Sequence, residues 1–388
     1  MCKQIMRLLQ SVDLYDEVGR LQLHEFLLQN IYELASDKSF VDPFMHSLRR
    51  LYPLEEQWLK TVIRILLIMK KPLDSALNSD DDNDSDNEGG KRLDISAEMQ
   101  SKIWIKCLNV VCKALEMTKR SVKDPLIGPM MQTFILPTVV HSDPVVRMEG
   151  VRALGLFCLL DRAVAREYLF LFLKVLENDT TEIRLVSLQA ILDLILAHGT
   201  KALGIENTLE SEERKNDNDN NNESDNENSH NGNESDNESS DNDSDSDNDS
   251  DSDSDDNERN ILKVIVTCLN DAELRALAAE GLAKCFYVGA LRCPQVFGRL
   301  IVLRCDPTLA GDGRLQKCLE SFFHAYVSSK PFHARHQMIV AKSLVPALCW
   351  CGFCNKERKR ASEEILLQRI VETVVQLTEF VTQTNSST

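Results

Sequence analysis

Asp143-Pro-Val-Val-Arg-Met-Glu-Gly-Val-Arg-Ala-Leu-Gly-Leu-Phe-Cys-Leu-Leu-Asp161 opens one helix and closes on the cap of the next. A carboxylate ahead of an amphipathic run accepts the orphan N–H groups of the first turn. Pro144 suits the first helical position, where its missing N–H costs nothing. Asp179-Thr-Thr-Glu-Ile-Arg184 repeats the pattern ahead of Leu188, Ile191, Leu192 and Leu196. Asp271-Ala-Glu-Leu-Arg275 repeats it again ahead of Leu282 and Phe286.

Spacing turns these three copies into a repeat. Arg147 and Arg184 lie 37 residues apart, and Arg184 and Arg275 lie 91 apart. Setting aside the 50 polar residues Leu209–Glu258 reduces the second interval to 41. Four residues after each Arg stand Val151, Leu188 and Ala279; seven after stand Leu154, Ile191 and Leu282. Six after stand Ala153, Ala190 and Gly281, small enough for close helix packing. A period of roughly 40 residues with two helices per unit is that of HEAT and armadillo solenoids. The expected fold is therefore all-α: a HEAT-repeat α-solenoid of antiparallel helix pairs, interrupted by disordered acidic insertions. Asp16–Arg20, Asp143–Arg147, Asp179–Arg184 and Asp271–Arg275 are read as structural. Each Asp is a cap, and each Arg can pair with the Asp of a neighbouring unit.

Outward from this centre, further helices are expected at Met1–Gln10, from Leu21 through Ile31, at Ser39–Leu51 and at Pro53–Lys71. Ser96 caps another that runs to Met117, and Leu126–Val140 is bent by Pro129 and Pro137. Asp161 caps Arg162–Glu177; later helices fall at Ile261–Leu269, Cys293–Arg304, Arg314–Val327, Ala334–Cys349 and Ser362–Thr382. The organisation reads as helix pairs over 1–71, an acidic linker over 72–94 and central units over 95–204. An Asp/Asn/Ser-rich insertion over 205–258, C-terminal helices over 259–382 and a tail over 383–388 complete it. The helical pattern already breaks at Lys201. Such polar strings bury too little apolar surface to offset the entropy of ordering.

The net charge of −17 belongs to the strings. Of 61 acids, 18 lie in Asn216–Glu258 and 6 in Asp80–Glu88, leaving 37 against 44 Lys and Arg. A mildly basic body can hold DNA through its phosphates, without reading sequence and with strong salt dependence. The basic clusters that bear this reading are Arg49-Arg50, Arg64 with Lys70-Lys71, and Lys119-Arg120 with Lys123. Lys102, Lys106 and Lys113 follow one polar helix face. The alternative for each is a solvated face. Lys91-Arg92 and Lys356-Glu-Arg-Lys-Arg360 are also basic, the latter a short nuclear-import pattern.

Enzyme signatures are weak. Gly89-Gly90 and Gly311-Asp-Gly313 lack the Lys-Ser/Thr context of a phosphate loop. Only His24-Glu25 forms a His-Glu pair, too few for a metal hydroxylase. Cys349-Trp-Cys-Gly-Phe-Cys354 offers three thiols where structural zinc takes four ligands, so a cysteine-rich helix end or loop is expected and no metal. No catalytic residues, cofactor, small-molecule substrate or membrane partner is expected. Scattered cysteines within apolar helices and the lack of a secretory leader suggest a soluble intracellular chain. Ser244, Ser246, Ser250, Ser252 and Ser254 each precede an acid and suit acid-directed kinases. Their phosphates would let the string compete with DNA for the basic face.

With these residues laid out, the chain resembles the condensin complex subunit 3 family. The resemblance rests on Asp143–Asp161, Glu182-Ile-Arg184, Gln189–Leu194, Leu274–Lys284, Arg299–Leu303, Leu315–Phe323 and Asp16–Arg20. It runs from about Asp13 to Phe323 and matches the middle and C-terminal portion of longer proteins. An acidic insertion between the second and third units is expected of that family. The resemblance implies a non-catalytic subunit that clasps the kleisin subunit of condensin. Through the kleisin it would meet the other condensin subunits, and with it bind double-stranded DNA in mitotic chromosome condensation. The implied location is the nucleus and mitotic chromosomes, with the cytoplasm as a further compartment. The competing reading is a protein-interaction scaffold of nuclear-transport or phosphatase type, with no nucleic-acid role.

Overall fold

The structure, a computed structural model, describes residues 16–77, 96–205, 261–328, 333–351 and 361–385. Helix α1 is Glu17–Leu34, α2 Lys38–Leu51, α3 Glu55–Leu77 and α4 Ala97–Met117. Helix α5 is composite: Gly128–Met130, a π-turn over Met131–Ile135, then Leu136–Val139. Then come α6 Pro144–Leu159, α7 Arg162–Asn178 and α8 Thr181–His198. Beyond the acidic stretch lie α9 Ile261–Cys268, α10 Arg275–Tyr287, α11 Pro294–Cys305 and α12 Gly313–Ser328. Helices α13 His333–Lys342, α14 Leu344–Trp350 and α15 Ala361–Asn385 finish the order. Among the described residues there is no strand.

Neighbour relations make this a solenoid. Helices α2, α4, α6, α8, α10 and α12 pack each on the next to form one continuous layer. Each pairs with the helix before it, so α1, α3, α5, α7, α9 and α11 cover the other side. Packing of α8 on α10 carries the layer across residues 206–260. The buried side of α6 presents Val146, Val151, Leu154 and Phe157, and that of α8 presents Ile183, Leu188, Ile191 and Ile195. Each such side chain contributes about 1.5–3 kcal/mol on leaving water. Helices α13, α14 and α15 close the end against α11 and α12.

Local chemistry sets the helix ends. Asp16 accepts N–H bonds from Val18 and Gly19, Ser96 from Met99, Asp143 from Val145, and Asp161 from Ala163 and Val164. The bend expected in Leu126–Val140 is a π-turn immediately before Pro137. Pro137 has no N–H for the carbonyl four residues back, so the ladder widens by one residue there. Thr138, fully buried, donates its hydroxyl to Phe134 O and Ile135 O. The single helix expected over Ala334–Cys349 is broken at Ser343 into α13 and α14. Pro346 lies three residues on and cannot donate to Lys342 O. Lys201–Leu203 form a 3-10 turn, and Leu203 and Ile205 are buried, so the fold extends through residue 205, past the point where the pattern fades.

Two glycines set how closely the layers approach. A Cβ on Gly150 would lie 2.6 Å from Thr138 Oγ1 and 2.8 Å from Thr138 C, on the adjoining α5. A Cβ on Gly281 of α10 would meet the methyl ends of Leu192 on α8. A leucine end can rotate away, whereas backbone cannot. Gly150→Ala is therefore expected to cost about 1–3 kcal/mol and Gly281→Ala less, as read by denaturant midpoints. Equal costs would contradict a backbone contact at Gly150.

Candidate functional site

The repeated Arg residues form a clasp between successive units. Arg147 donates from Nε to Asp179 Oδ2 at 2.7 Å and from Nη2 to Asp179 Oδ1 at 2.8 Å. Its Nη1 donates to His141 O at 2.7 Å. Arg184 pairs with Asp271 at 3.1 Å and donates from Nε to Leu176 O. Arg275 donates to Leu269 O and Asn270 O. Each Arg thus ties down carbonyls at the end of its own hairpin's first helix, and two of them hold the Asp in the turn ahead of the next hairpin's second helix. Arg184 does so across the acidic stretch. The Arg147 guanidinium is the main cause that holds the Asp179 carboxyl below its ordinary value. Asp271 is held low by the Glu273 N–H and by Arg184, and Asp143 by the Ser101 hydroxyl and the Val145 N–H. Among the described residues Arg20 has no such partner.

Two of the caps read from sequence are differently placed. Thr180, not Asp179, is the N-cap of α8, and its side chain makes no capping bond. The interval explains this: Asp179 precedes its Arg by five residues, whereas Asp143 precedes its Arg by four. The extra residue leaves Asp179 outside the helix, where Arg147 takes its carboxylate. Asp271 accepts from Glu273 N in a turn, and α10 begins only at Arg275.

The basic residues divide into clamps and exposed charges. Lys106 donates to Tyr32 O, and Lys113 bonds Asp42 and Glu116, so the α4 face that bears them is turned to α1 and α2. Lys70 pairs with Asp74 beside the Trp104 and Phe134 rings, and Arg49 lies over the Trp58 ring. Lys102 pairs with Glu98 and Arg120 with Asp124. Arg50 is exposed and already engaged in a contact. Arg64, Lys71, Lys119 and Lys123 are exposed with no carboxylate partner among the described residues. Arg64 and Lys71 are two turns apart and share one face of α3. Lys119 is held at the head of the same helix, because its N–H and the Thr118 hydroxyl donate to Glu55 of α3. Exposed Leu67 and Ile68 lie between Arg64 and Lys71 on that face, whereas Lys119 and Lys123 form a separate basic group in the α4–α5 loop, because Glu55 is about half a helical rotation from Arg64.

A second feature lies on the layer of even-numbered helices and is not legible in the sequence. A trough of about 390 Å³ opens between α6 and α8, floored by Gly155, Leu156, Leu159, Val186 and Ala190. Glu116, Arg152, Gln189 and Asp193 stand around it. Glu116 and Arg152 also border a recess of about 160 Å³ toward α2, walled by Lys38, Asn109 and Glu149. Its one sequence signal is Glu149, a carboxylate on an otherwise apolar helix face.

Ser244, Ser246, Ser250, Ser252, Ser254, Met1–Gln10, Lys91-Arg92 and Lys356–Arg360 lie outside the described residues, as do most of both acidic strings. Cys349 and Cys351 are at the end of α14, and Cys354 is outside the description. Burial pushes the thiols of Cys107, Cys112, Cys158 and Cys285 up to about 12. Among the described residues no helix is long and apolar enough to cross a membrane.

Paired helices, a continuous packed layer and a repeated Arg–Asp clasp define an α-solenoid of HEAT type. The family model of nuclear condensing complex subunits, C-terminal domain (Cnd3), matches residues 106–388, and the chain belongs to this family. The match continues beyond Phe323, where the residue-by-residue resemblance ends. Condensin complex subunit 3 of Homo sapiens is 27% identical over 287 residues, covering 70% of this chain and 24% of the relative. That of Xenopus laevis is 26% identical over 253 residues, covering 63% and 23%. The chain thus spans about a quarter of the length of these relatives. A crystal structure of the S. pombe condensin Cnd3–Cnd2 subcomplex shares the fold, with a TM-score of 0.64 and 18% identity. That likeness covers 96% of this chain and 41% of the other. Membership in a condensin family sets aside nuclear-transport and phosphatase-type scaffolds.

Proposed function

We propose that the chain is a non-catalytic HEAT-repeat subunit of a condensin complex. It binds the kleisin subunit, reaches the other subunits through it, and holds double-stranded DNA without reading sequence. Its work is mitotic chromosome condensation, and its place is the nucleus and mitotic chromosomes. The observation that carries this is the family match over residues 106–388 on a fold shared with a chain crystallised as a Cnd3–Cnd2 subcomplex. The exposed cations Arg64 and Lys71 on α3 and Lys119 and Lys123 in the α4–α5 loop support the DNA part: they have no carboxylate partner among the described residues. Cations held by carboxylates, such as Lys113, are already neutralised and contribute less.

The test is duplex binding by the full chain across a salt series. Replacing Arg64, Lys71, Lys119 and Lys123 by Glu together is expected to weaken binding and flatten its salt dependence. For every phosphate no longer engaged, the slope of log K against log salt should fall by about 0.9. Replacing Lys102, Lys106 and Lys113 should leave the slope nearly unchanged. The reverse ranking would overturn these four exposed cations as the DNA contacts.

A further inference from the structure

The trough between α6 and α8 has an apolar floor that nothing in the described fold covers, and it runs into a recess whose polar balance is incomplete. Leu156, Leu159 and Val186 are only partly buried there. Gly155 and Ala190 let the two helices approach closely at the floor: a Cβ on Gly155 would lie 3.0 Å from the Ala190 Cβ. In the wall of the recess, Glu149 is 4% exposed; its Oε1 pairs with Lys38 and its Oε2 has no hydrogen-bond partner. Asn109 is equally buried; its amide nitrogen donates to Ala35 O, which fixes the amide's orientation and leaves Oδ1 as a second acceptor without a partner. A buried acceptor left unmatched is costly, and a donor brought into the recess relieves that cost.

The charges point the same way. Asp42, Glu116, Glu149 and Asp193 border trough and recess, against Lys38, Lys113 and Arg152. Lys38 is taken by Glu149, and Lys113 by Asp42 and Glu116. The site therefore carries one carboxylate more than its cations, beside two open acceptors. A guanidinium supplies one positive charge and five N–H donors with no acceptor, so it answers both deficits at once.

We infer that this trough and recess receive a segment of the kleisin subunit in which an apolar side chain neighbours an arginine. The apolar side chain lies on Leu156, Leu159 and Val186, and the arginine enters toward Glu149 and Asn109. This rests on the reading that the chain engages the kleisin subunit. Arg152, exposed at the junction, remains for a carbonyl or carboxylate of the same segment.

The experiment measures affinity of the full chain for the kleisin subunit by calorimetry, for the parent, Glu149→Gln and Leu156→Arg. Glu149→Gln keeps the side chain's shape and removes its charge. Leu156→Arg places a cation on the trough floor. Thermal unfolding of both variants verifies that they fold. Each is expected to weaken binding ten-fold or more. Replacing the responsible kleisin arginine by Gln should weaken the parent equally and the Glu149→Gln variant hardly at all. Parent-like affinity in both folded variants overturns this site and leaves the proposed function standing. Absence of kleisin binding by the parent itself overturns both.

Discussion

Phe297→Ala is expected to lower the stability of the C-terminal units by about 3–5 kcal/mol. Phe297 is fully buried on α11 at the centre of an aromatic cluster. Its ring centroid lies 5.0 Å from that of Tyr326, 5.1 Å from Phe286, 5.6 Å from Phe323 and 5.9 Å from Phe322. These rings come from α10 and α12, so one side chain joins three helices. Truncation removes the transfer energy and leaves a cavity whose rigid aromatic walls collapse poorly. In a solenoid each unit contacts only its neighbours, so the loss should stay local. Hydrogen exchange should accelerate in α10–α12 and remain parent-like in α4–α6. Uniform acceleration along the chain would contradict solenoid packing.

Arg147→Ala is expected to cost about 3 kcal/mol, because it strips a part-buried Asp179 of a bidentate partner and frees the His141 carbonyl. The effect should depend on pH. The Asp179 carboxyl is held below its ordinary value of 3.8, chiefly by Arg147. A carboxylate whose folded value is depressed contributes stability that is full above its unfolded value and lost as pH falls through the folded one. The parent should therefore lose stability progressively below about pH 4, and Arg147→Ala should lose less over the same range. The two stabilities converge in acid and differ most near neutrality. Denaturant titrations from about pH 2 to 7 check this; a constant difference across that range would remove the ion pair as its source.

Fold class is legible because the repeat period, the Asp-to-Arg pattern and the small-residue spacing recur over Asp143–Leu196 and again at Asp271. The excised interval of 41 residues anticipates that α10 stacks on α8, which it does. Helix limits are less legible where one residue changes the geometry. The five-residue step from Asp179 to Arg184 moves the cap to Thr180, and Pro346 splits a helix that periodicity joins. The candidate site is harder. Periodicity identifies Lys102, Lys106 and Lys113 as a polar face of α4, but a face polar enough for solvent is equally suited to Asp42 and the Tyr32 carbonyl on neighbouring helices. Only the packing of α1 and α2 against α4 separates clamps from exposed charges. The trough between α6 and α8 depends on what a neighbouring helix leaves uncovered, which a single helix's pattern does not encode.

The full chain mixed with the kleisin subunit is expected to elute as one complex. That complex should bind a DNA duplex tightly at about 50 mM salt and lose most of that affinity by about 200 mM. A chain that elutes apart from the kleisin subunit, or a complex whose duplex affinity is indifferent to salt, would contradict a condensin role.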